Sequence, residues 1–509
     1  MKKFKRALAL TAAAALTVSC FTGCGKDKNT SADGVKEVSA FFYFAPNAYT
    51  EDMPIWKEAE KKTGIRVKSV VSSINSDGAA AYSTMLAGDK LPEIIRQDIA
   101  TLRELAGDGG LVPLDDLIDK YAPNVKSFFE KCPEAKKVAT MPDGHIYFIP
   151  GSLSGLDSEA SPSTGLFIRQ DWLKKLGLSE PTTIQELHDV LYAFRNQDPN
   201  GNGLKDEVPY FNRDHMLDGL LQLFKTNSDR ILIDGEYIYS PITENYKNAM
   251  RELAKWYKEG LIDSELYTRS SAREQLLGQN LGGCSVDWFS STSKFNETYK
   301  DAVPGLEFSV ILPPKNIDGE VVSYAARGKL HGWAWGMSVD TDKSMYEDLL
   351  KYFDFWMSQD GQDLIAYGVE GKSYTKDSNG KIEWSQEALS YADGVPQYLR
   401  SIGSAEIGTI GNIEAEKSGM NEIGLKGFEL YEPIVAPVAG QLSYTDEELD
   451  IVNKYQTNIQ TAVSEQQQKW LLGTEDVDAT WDKYIQSLKK MGVDELVKVY
   501  QSAYKRMYN

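Results

Sequence analysis

Short apolar segments alternate with amphipathic helical segments along most of this chain, and this alternation restricts the fold more than any other feature. The segment VSAFFYFAP (38–46) has the composition of a strand, a helical segment follows and ends at Gly64, and IRVKSVV (65–71) alternates like a second strand. Further strand-like segments are HIYFIPG, GLFIR, GCSVDWF, LEFSVILPP and GWAWGMSVD. Strands that alternate with helices indicate an α/β fold.

The size and charge of the chain limit both its domain count and its partners. With 509 residues, of which 42% are hydrophobic, it can bury a large core and form two or three domains. Its last part is helical, because Thr445 and Glu448 form a capping box before Leu449, Val452 and Tyr455 at helical spacing. The net charge of −19 argues against nucleic acid or an anionic lipid surface as a partner, since both need a basic surface. The charge does not exclude neutral ligands or cations as partners.

The N-terminus has the pattern of an export signal. The cationic segment MKKFKR precedes an apolar stretch at 7–18 that is too short to span a membrane, and FTGC ends at Cys24. The pattern resembles a bacterial lipoprotein signal, which implies that residues 1–23 are removed and that the sulfur of Cys24 carries a diacylglyceryl group, with acyl chains such as palmitate. Residues 24–34 then form a flexible tether outside the cytoplasm. Cys20 in TVSC is a competing lipidation site, and an ordinary secreted protein is the other alternative.

The remaining cysteines and the histidines argue against a transition-metal centre. Cys132 and Cys284 are far apart in the sequence, and they either pair outside the cell or lie as separate thiols in a core. The four histidines do not occur at the spacing that zinc or iron sites use. Any metal site in this chain is therefore expected to use oxygen ligands.

The loop DPNGNGLKDEVP (198–209) has the spacing of a calcium site. Its oxygen-bearing residues follow the positions of an EF-hand loop, and Gly203 allows the sharp turn. No helix pair is evident, because Pro209 closes the loop, so we expect a structural Ca²⁺ rather than a sensor. An Asx-rich turn without an ion is the alternative. The predicted ligands are Asp198, Asn200, Asn202, the Leu204 carbonyl, Asp206 and Glu207.

Three motifs that suggest enzymes lack the context that they need. AYGVEGKS fits a permissive phosphate-loop pattern, but a helical segment precedes it and a turn-rich segment follows it. The S-x-x-K pair of Ser291 and Lys294 follows the K-T-G at 62–64, the reverse of the order expected in penicillin-recognising enzymes. Carboxylates are abundant, but no two stand in a context that marks a glycosidase acid and nucleophile. An enzyme therefore stays as the minority hypothesis.

The order of seven segments resembles that of one protein family. The segments are EAEKKTGIRV, LAGDKLPEIIRQD, GGLVPLDDLI, LFIRQDWLKKLGL, DPNGNGLKDEVP, YGVEGKSYTKDSNGK and GTEDVDATWDKYIQSLKKMG. Together they resemble an extracellular solute-binding protein of an ATP-driven (ABC) importer, of the large lipoprotein type that takes up oligosaccharides. The resemblance extends from the lipoprotein signal almost to the last residue.

This resemblance implies a two-lobed α/β fold of the periplasmic-binding-protein type (type II), with crossover hinge strands and the ligand between the lobes. Residues 35–155 and 330–372 would form lobe one, and residues 156–329 and 373–509 lobe two. It also implies a monomer that carries an oligosaccharide to membrane permease subunits, with a calcium loop of the form described above in one lobe. A secreted carbohydrate-active enzyme and a peptide receptor of the same fold remain alternatives.

Sugar sites combine flat aromatic side chains with carboxylate, amide or arginine partners, and this chemistry selects the candidate ligand contacts. Trp288 follows Asp287 at the end of an apolar strand, where the fold resembled lets an aromatic ring stack on sugar. For each aromatic residue, packing in the core is the alternative. The candidates are Trp288, Asp287, Arg169, Trp333, Trp335, Asp98, Arg96, Asn47, Tyr367 and Glu370.

Overall fold

The computed structural model describes residues 31, 34–43, 49–71, 77–153, 155–213, 217–324 and 326–508. The predicted signal peptide, the lipidation candidates Cys24 and Cys20, and the ligand candidate Asn47 lie outside these residues. Across the described ranges, no helix combines the length and the apolar character that crossing a membrane requires.

The described residues form fifteen strands, most of which belong to two sheets. They are β1 (Lys36–Phe42), β2 (Ile65–Ser69), β3 (Ile94–Asp98), β4 (Phe148–Ser152), β5 (Ala160–Pro162), β6 (Thr164–Arg169), β7 (Val208–Tyr210), β8 (Arg230–Ile233), β9 (Glu236–Tyr239), β10 (Gly282–Trp288), β11 (Phe308–Ile311), β12 (Ala326–Gly328), β13 (Leu330–Met337), β14 (Tyr374–Lys376) and β15 (Ile382–Trp384).

The α-helices cover the sheets and account for most of the chain after residue 340. They are α1 (Pro54–Thr63), α2 (Gly78–Leu86), α3 (Ile99–Gly107), α4 (Asp115–Tyr121), α5 (Pro123–Lys131), α6 (Pro133–Ala139), α7 (Gln170–Leu176), α8 (Ile184–Asn196), α9 (Asp218–Leu221), α10 (Glu244–Lys258), α11 (Ala272–Gly278), α12 (Phe289–Thr292), α13 (Phe295–Thr298), α14 (Tyr346–Met357), α15 (Gln359–Tyr367), α16 (Gln386–Leu389), α17 (Gly394–Ser401), α18 (Ile413–Ser418), α19 (Glu422–Tyr431), α20 (Asp446–Leu471), α21 (Val477–Lys490) and α22 (Val493–Tyr508).

The first sheet has the strand order β2-β1-β3-β13-β4 and forms the centre of lobe one. Strands β1, β2 and β3 run parallel, whereas β13 is antiparallel to both β3 and β4. The inner strands are apolar on both faces, as in Ala40, Phe41 and Phe42 of β1, because helices cover the sheet on both sides. Strand β13 brings the chain back to this sheet after it has formed the second one.

The second sheet has the order β11-β6-β10-β7 and forms the centre of lobe two. Strand β10 is antiparallel to β6 and pairs Trp288 with Thr164 at one end and Cys284 with Ile168 towards the other. Gly283 lets this strand pack closely, because a Cβ atom there would lie 2.7 Å from the Phe194 ring. The sheet therefore presents the end of β10 that carries Trp288 at one edge of the lobe.

Short strands connect the two sheets. Strand β5 follows β4 of the first sheet and precedes β6 of the second, and it pairs antiparallel with β12, which directly precedes β13. A third connection runs beside β4, where Ser152 and Ile410 form a parallel bridge. These connections are the crossover strands that the resemblance implied.

The side chains of the two lobes form separate cores. Ala405 and Ile407 pack in the core of lobe one, so the segment around them returns to that lobe, although the predicted bounds placed it in lobe two. The other bounds stay a prediction. The long helix α20 has the predicted capping box, in which the Thr445 hydroxyl accepts from the Glu448 amide and the Glu448 carboxylate accepts from the Thr445 amide. Helix α20 packs on α10 and α22 in lobe two.

The two cysteines of the described chain are free thiols. Cys132 is buried in the core of lobe one and Cys284 in the core of lobe two, where burial raises the pKa of the Cys132 thiol to about 11 and that of Cys284 above its ordinary range. The separate-thiol alternative is therefore the one that the structure shows.

Candidate ligand-binding site

A cavity of about 390 Å³ lies between the two lobes. Lobe one contributes Ser152 at the end of β4 and His331 in β13, and lobe two contributes Trp288 at the end of β10. Arg327 of the crossover strand β12 also lines it, and so does the segment of 393–416 that runs beside β4. Its volume falls in the range of about 300–1,000 Å³ that small-molecule sites occupy.

Trp288 occupies the wall of the cavity that lobe two supplies. It is the last residue of β10 and stands immediately before α12, with extended backbone angles. Its side chain is half-buried, unlike the buried Phe289 that follows it. The structure thus brings Trp288 to the cavity, as we predicted, and leaves part of its ring available to a ligand.

Asp287 lies behind Trp288 and is buried. Its carboxylate accepts a hydrogen bond of 2.7 Å from the Trp288 amide, and it lies 3.7 Å from the Arg273 guanidinium. Burial raises the pKa of Asp287, and the charge of Arg273 opposes that rise. Asp287 is therefore placed to hold the turn at Trp288, which differs from the direct sugar contact that we predicted.

Arg273, which the sequence analysis did not identify, joins several parts of the cavity wall. It is buried in α11, and its guanidinium donates to the Ser291 hydroxyl at 2.9 Å and lies 3.8 Å from the Asp393 carboxylate. Ser291 and Asp393 both line the cavity. No local sequence signal marks Arg273, because apart from the neighbouring Glu274 its partners Asp287, Ser291 and Asp393 are distant in the sequence.

Arg96 and Trp333 pack together in lobe one, and neither of these two predicted contacts lines the cavity. The Arg96 guanidinium lies 4.3 Å from the centre of the Trp333 ring and donates to the main-chain carbonyls of Glu406, at 2.5 Å, and Tyr43, at 3.0 Å. Burial lowers the pKa of Arg96 to about 10. Arg96 is therefore a buried support, and Trp333 is half-buried beside it.

Glu406 is the centre of a charged cluster in the cavity wall. One carboxylate oxygen lies 3.3 Å from Nε2 of His331, and the other accepts a hydrogen bond of 3.2 Å from Arg400. Burial pushes the pKa of Glu406 upward, but the hydrogen bond with His331 and the charges of Arg400 and Arg96 outweigh it and lower the pKa to about 2. The carboxylate is thus held in its ionised form.

Several predicted contacts lie elsewhere. Arg169 is the last residue of β6, and Thr164, which pairs with Trp288, is the first. The Arg169 guanidinium donates hydrogen bonds to Asp171 and Asn280. Trp335 is fully buried among the aromatic side chains of the lobe-one core. Arg169 and Trp335 are therefore structural residues, and their assignment as ligand contacts is corrected here.

Three further candidates do not line the cavity. The Asp98 carboxylate caps α3 by accepting from the amide and hydroxyl of Thr101. Tyr367 stands behind Asn412, whose amide nitrogen lies 3.4 Å from the Tyr367 hydroxyl and which itself lines the cavity. Glu370 is exposed on the following turn.

The loop 198–209 has the tight conformation that a cation loop needs. Asp198, Gly201 and Gly203 all have positive φ angles, and the Asp198 carboxylate accepts from the Gly201, Asn202 and Gly203 amides at 2.8–3.0 Å. Among the described residues, no group of three or more His, Cys, Asp and Glu side chains forms a metal site by itself. A cation here would depend on amide and main-chain oxygens as well.

Glu207 supplies the observation that fits a cation. Its side chain is 1% exposed, and both of its carboxylate oxygens are buried without a hydrogen-bond partner. Burial raises the pKa of Glu207, and the charges of Asp206 and Asp198 add to that rise. A buried carboxylate without a partner is costly, and a bound cation would remove that cost.

Two α/β lobes that share a cavity at their crossover strands define a ligand-binding protein of the periplasmic-binding-protein-like fold. The chain belongs to the bacterial extracellular solute-binding protein family, whose model matches residues 45–363. The predicted family and fold are thereby confirmed, and the role common to this family is binding, outside the cytoplasm.

Three proteins with a known name are similar to this chain over most of its length. The fructooligosaccharide ABC transporter substrate-binding protein FusA of Streptococcus pneumoniae is 26% identical over 491 residues, which cover 88% of this chain and 86% of FusA. Lipoprotein LipO of Bacillus subtilis is 24% identical over 537 residues, 98% of this chain and 99% of LipO. The crystal structure of the alginate-binding protein AlgQ2 without calcium ion superposes with a TM-score of 0.83 at 32% identity, covering 94% of this chain and 100% of AlgQ2.

Proposed function

We propose that this protein captures an oligosaccharide in the cavity between its lobes and delivers it to the membrane permease subunits of an ABC importer. The observation that carries the proposal is the cavity itself, in which the half-buried ring of Trp288 faces a wall of charged side chains from the other lobe and the crossover strands. The names of FusA and AlgQ2, one a fructooligosaccharide-binding and the other an alginate-binding protein, support a carbohydrate ligand.

The chemistry of the cavity suits a sugar. The C–H face of a sugar ring packs on an aromatic ring such as that of Trp288, and its hydroxyls pair with groups such as the Glu406 carboxylate and the Arg327 guanidinium. Because these groups belong to both lobes and their connections, a bound ligand would favour the closed arrangement of the lobes over the open one.

We also propose that the loop 198–209 holds a structural Ca²⁺. Its ligands would be the side chains of Asp198, Asn200, Asn202, Asp206 and Glu207 with the carbonyl of Leu204. A bound Ca²⁺ supplies positive charge to a loop that buries the Glu207 carboxylate, and it takes no part in ligand chemistry. The crystal structure of AlgQ2 without calcium ion and the EF-hand mutant of FusA point to such sites in similar proteins.

The cellular setting follows from the N-terminus. We propose that a lipid on Cys24 anchors the protein, as a monomer, to the extracytoplasmic side of the cell membrane, where the permease subunits are within reach. The similarity to lipoprotein LipO, whose alignment covers 98% of this chain, supports the proposal that this protein is a lipoprotein. Nucleic acid is not an expected partner of a chain with a net charge of −19.

A thermal-shift screen against neutral and acidic oligosaccharides tests the proposal. We expect at least one sugar to raise the melting temperature, because a ligand that binds only the folded state stabilises it. Thin-layer analysis of the same mixtures should show intact sugar after overnight incubation. Product on the plate would favour the carbohydrate-active enzyme instead, and stabilisation by peptides but by no sugar would favour a peptide receptor.

A further inference from the structure

The proposed site has a charge balance that restricts its ligand further. We infer that the oligosaccharide is uncharged, an inference that rests on the proposed function. Glu406, Glu416 and Asp393 select this ligand by excluding sugars that carry carboxylates. The described residues that line the cavity include three arginines, Arg213, Arg327 and Arg400, and three carboxylates.

Arg327 and Glu416 form the most closely paired part of the lining. Nη2 of Arg327 lies 2.5 Å from Oε2 of Glu416, and the two side chains are 19% and 18% exposed. A charge-assisted pair of this kind, sheltered from water, already satisfies the cation. A ligand carboxylate that approached Arg327 would therefore have to displace Glu416 or lie beside it.

The Glu406 carboxylate pairs with the guanidinium groups of Arg400 and Arg96 on the lobe-one side of the cavity. Arg400 donates to it at 3.2 Å, His331 lies at 3.3 Å, and Arg96 lies at 3.8 Å. Because the two guanidinium groups converge on one carboxylate, Glu406 stays ionised and already pairs with the cations that the carboxylate of an acidic sugar would need. Its remaining lone pairs can still accept hydrogen bonds from neutral hydroxyls.

The lobe-two side is balanced in the same way. Arg273 lies behind the wall among three carboxylates, 3.0 Å from Glu274, 3.7 Å from Asp287 and 3.8 Å from Asp393. The charge of Arg213, which does line the cavity, also acts on Asp287. Arg327 and Arg400 thus each have a carboxylate partner, and the three arginines of the lining are matched in number by its three carboxylates, so the lining offers hydroxyl-binding groups without a surplus of positive charge.

The similar proteins do not decide this question by themselves. FusA is named for a neutral sugar and AlgQ2 for alginate, which is acidic. The charge balance therefore carries the inference, and it predicts that this chain shares the preference of the first protein.

A paired sugar panel tests the inference. Trigalacturonate is compared with its full methyl ester, and trimannuronate with mannotriose, beside a wider set of neutral oligosaccharides, by calorimetric titration of the full chain. We expect the tightest ligand to be neutral and to bind at least about tenfold more tightly than any acidic sugar. We also expect its affinity to change less than about twofold between 20 and 200 mM salt, since a neutral ligand is not screened.

Glu416→Gln tests the role of the lining charge. It leaves Arg327 beside a neutral amide, so the ratio of neutral to acidic affinity should fall by at least about fivefold. Glu60→Gln is the matched control, because it breaks a similar pair with Arg66 that lies outside the cavity lining, and it should leave the ratio unchanged. If Glu416→Gln does not fold, Glu406→Gln serves in its place.

The outcomes separate the inference from the proposed function. An acidic sugar that binds as tightly as its neutral counterpart, or tighter, would overturn the inference and leave the function standing. An unchanged ratio in a folded Glu416→Gln protein would also overturn it. Binding of no sugar of either kind would overturn the proposed function together with the inference.

Discussion

The Arg273 guanidinium lies 3.7 Å from the Asp287 carboxylate, and both side chains are buried directly behind Trp288. The same carboxylate accepts a hydrogen bond from the Trp288 amide, and the same guanidinium donates to Ser291 on the next turn. The pair therefore links the end of β10 to the first turn after it, and the position of the exposed part of the Trp288 ring depends on it.

Replacement of Arg273 by methionine should destabilise the protein strongly. It leaves the Asp287 carboxylate buried without its cation, and breaking a buried pair in this way costs about 3–5 kcal/mol. Urea unfolding of Arg273→Met measures the loss. The double variant with Asp287→Asn should recover part of it, because the buried charge is then absent. A loss in the double variant equal to the sum of the losses in Arg273→Met and Asp287→Asn would show that the pair is not coupled.

Trp288→Ala should weaken ligand binding while leaving the fold intact. A stacked aromatic ring contributes about 0.5–1.5 kcal/mol beyond its buried area, and truncation of a central contact often costs about 2 kcal/mol or more. We therefore expect at least about tenfold weaker binding of the oligosaccharide identified in the screen, measured by calorimetric titration. The melting temperature without ligand should change little, because the ring is half-buried.

Trp335→Ala provides the contrast. Trp335 is fully buried against Phe353 in the lobe-one core, so its truncation should cost about 3–5 kcal/mol of stability. Unliganded melts of Trp288→Ala and Trp335→Ala distinguish a cavity wall from a core position. A melt of Trp288→Ala as low as that of Trp335→Ala, or unchanged affinity in folded Trp288→Ala, would return Trp288 to the core-packing alternative.

The sequence pattern predicted the main strands of the two sheets and several helices because their periodicity is local. The segments that contain β1, β10 and β13 were recognised from their own apolar residues, and the turn chemistry of loop 198–209 was visible in its glycines and asparagines. The cavity charges were not predictable in this way. Glu406 pairs with residues 96, 331 and 400, and only the fold brings these together.

The two tryptophans of β13 also show that burial is not predictable from local spacing alone. Their spacing places Trp333 and Trp335 on one face of the strand, but it does not tell how far along the sheet each residue lies. Trp333 pairs with Asp98, the last residue of β3, whereas Trp335 pairs with Arg96, two residues further into the sheet. Helix α14 covers Trp335 there, so only Trp333 stays half-buried.

Calcium should stabilise the folded protein without affecting ligand chemistry. A cation that binds only the folded state adds about 2.7 kcal/mol at a hundredfold excess over its dissociation constant. EDTA should therefore lower the melting temperature, and added Ca²⁺ should restore it. In Asp206→Ala the melting temperature should no longer respond to EDTA. Identical melts of the wild-type protein with and without EDTA would support an ion-free Asx turn.

The lipid anchor should depend on Cys24. Cys24→Ser should release soluble protein or leave uncleaved precursor, whereas Cys20→Ser should still mature into a membrane-bound lipoprotein. Fractionation of cells with labelled fatty acid measures both outcomes. Processed, labelled Cys24→Ser protein in the membrane fraction would move the lipid to Cys20, and secretion of both variants and the wild type would indicate an ordinary secreted protein.

Glu406 should make a pH-dependent contribution to stability. Because its pKa in the folded state is lowered to about 2, below its ordinary value near 4.5, the folded protein binds fewer protons than the unfolded chain between these values. The stability that Glu406 adds relative to Glu406→Gln should be complete above about pH 5 and should shrink as the pH falls towards about 2. Urea unfolding of both proteins across this range measures the difference. Asp354→Asn is a control in which the pH dependence should have the opposite sign. Because burial raises the pKa of Asp354, the contribution of Asp354 to the free energy of unfolding should decline as the pH rises. A Glu406 difference that stayed constant or grew in acid would contradict the prediction.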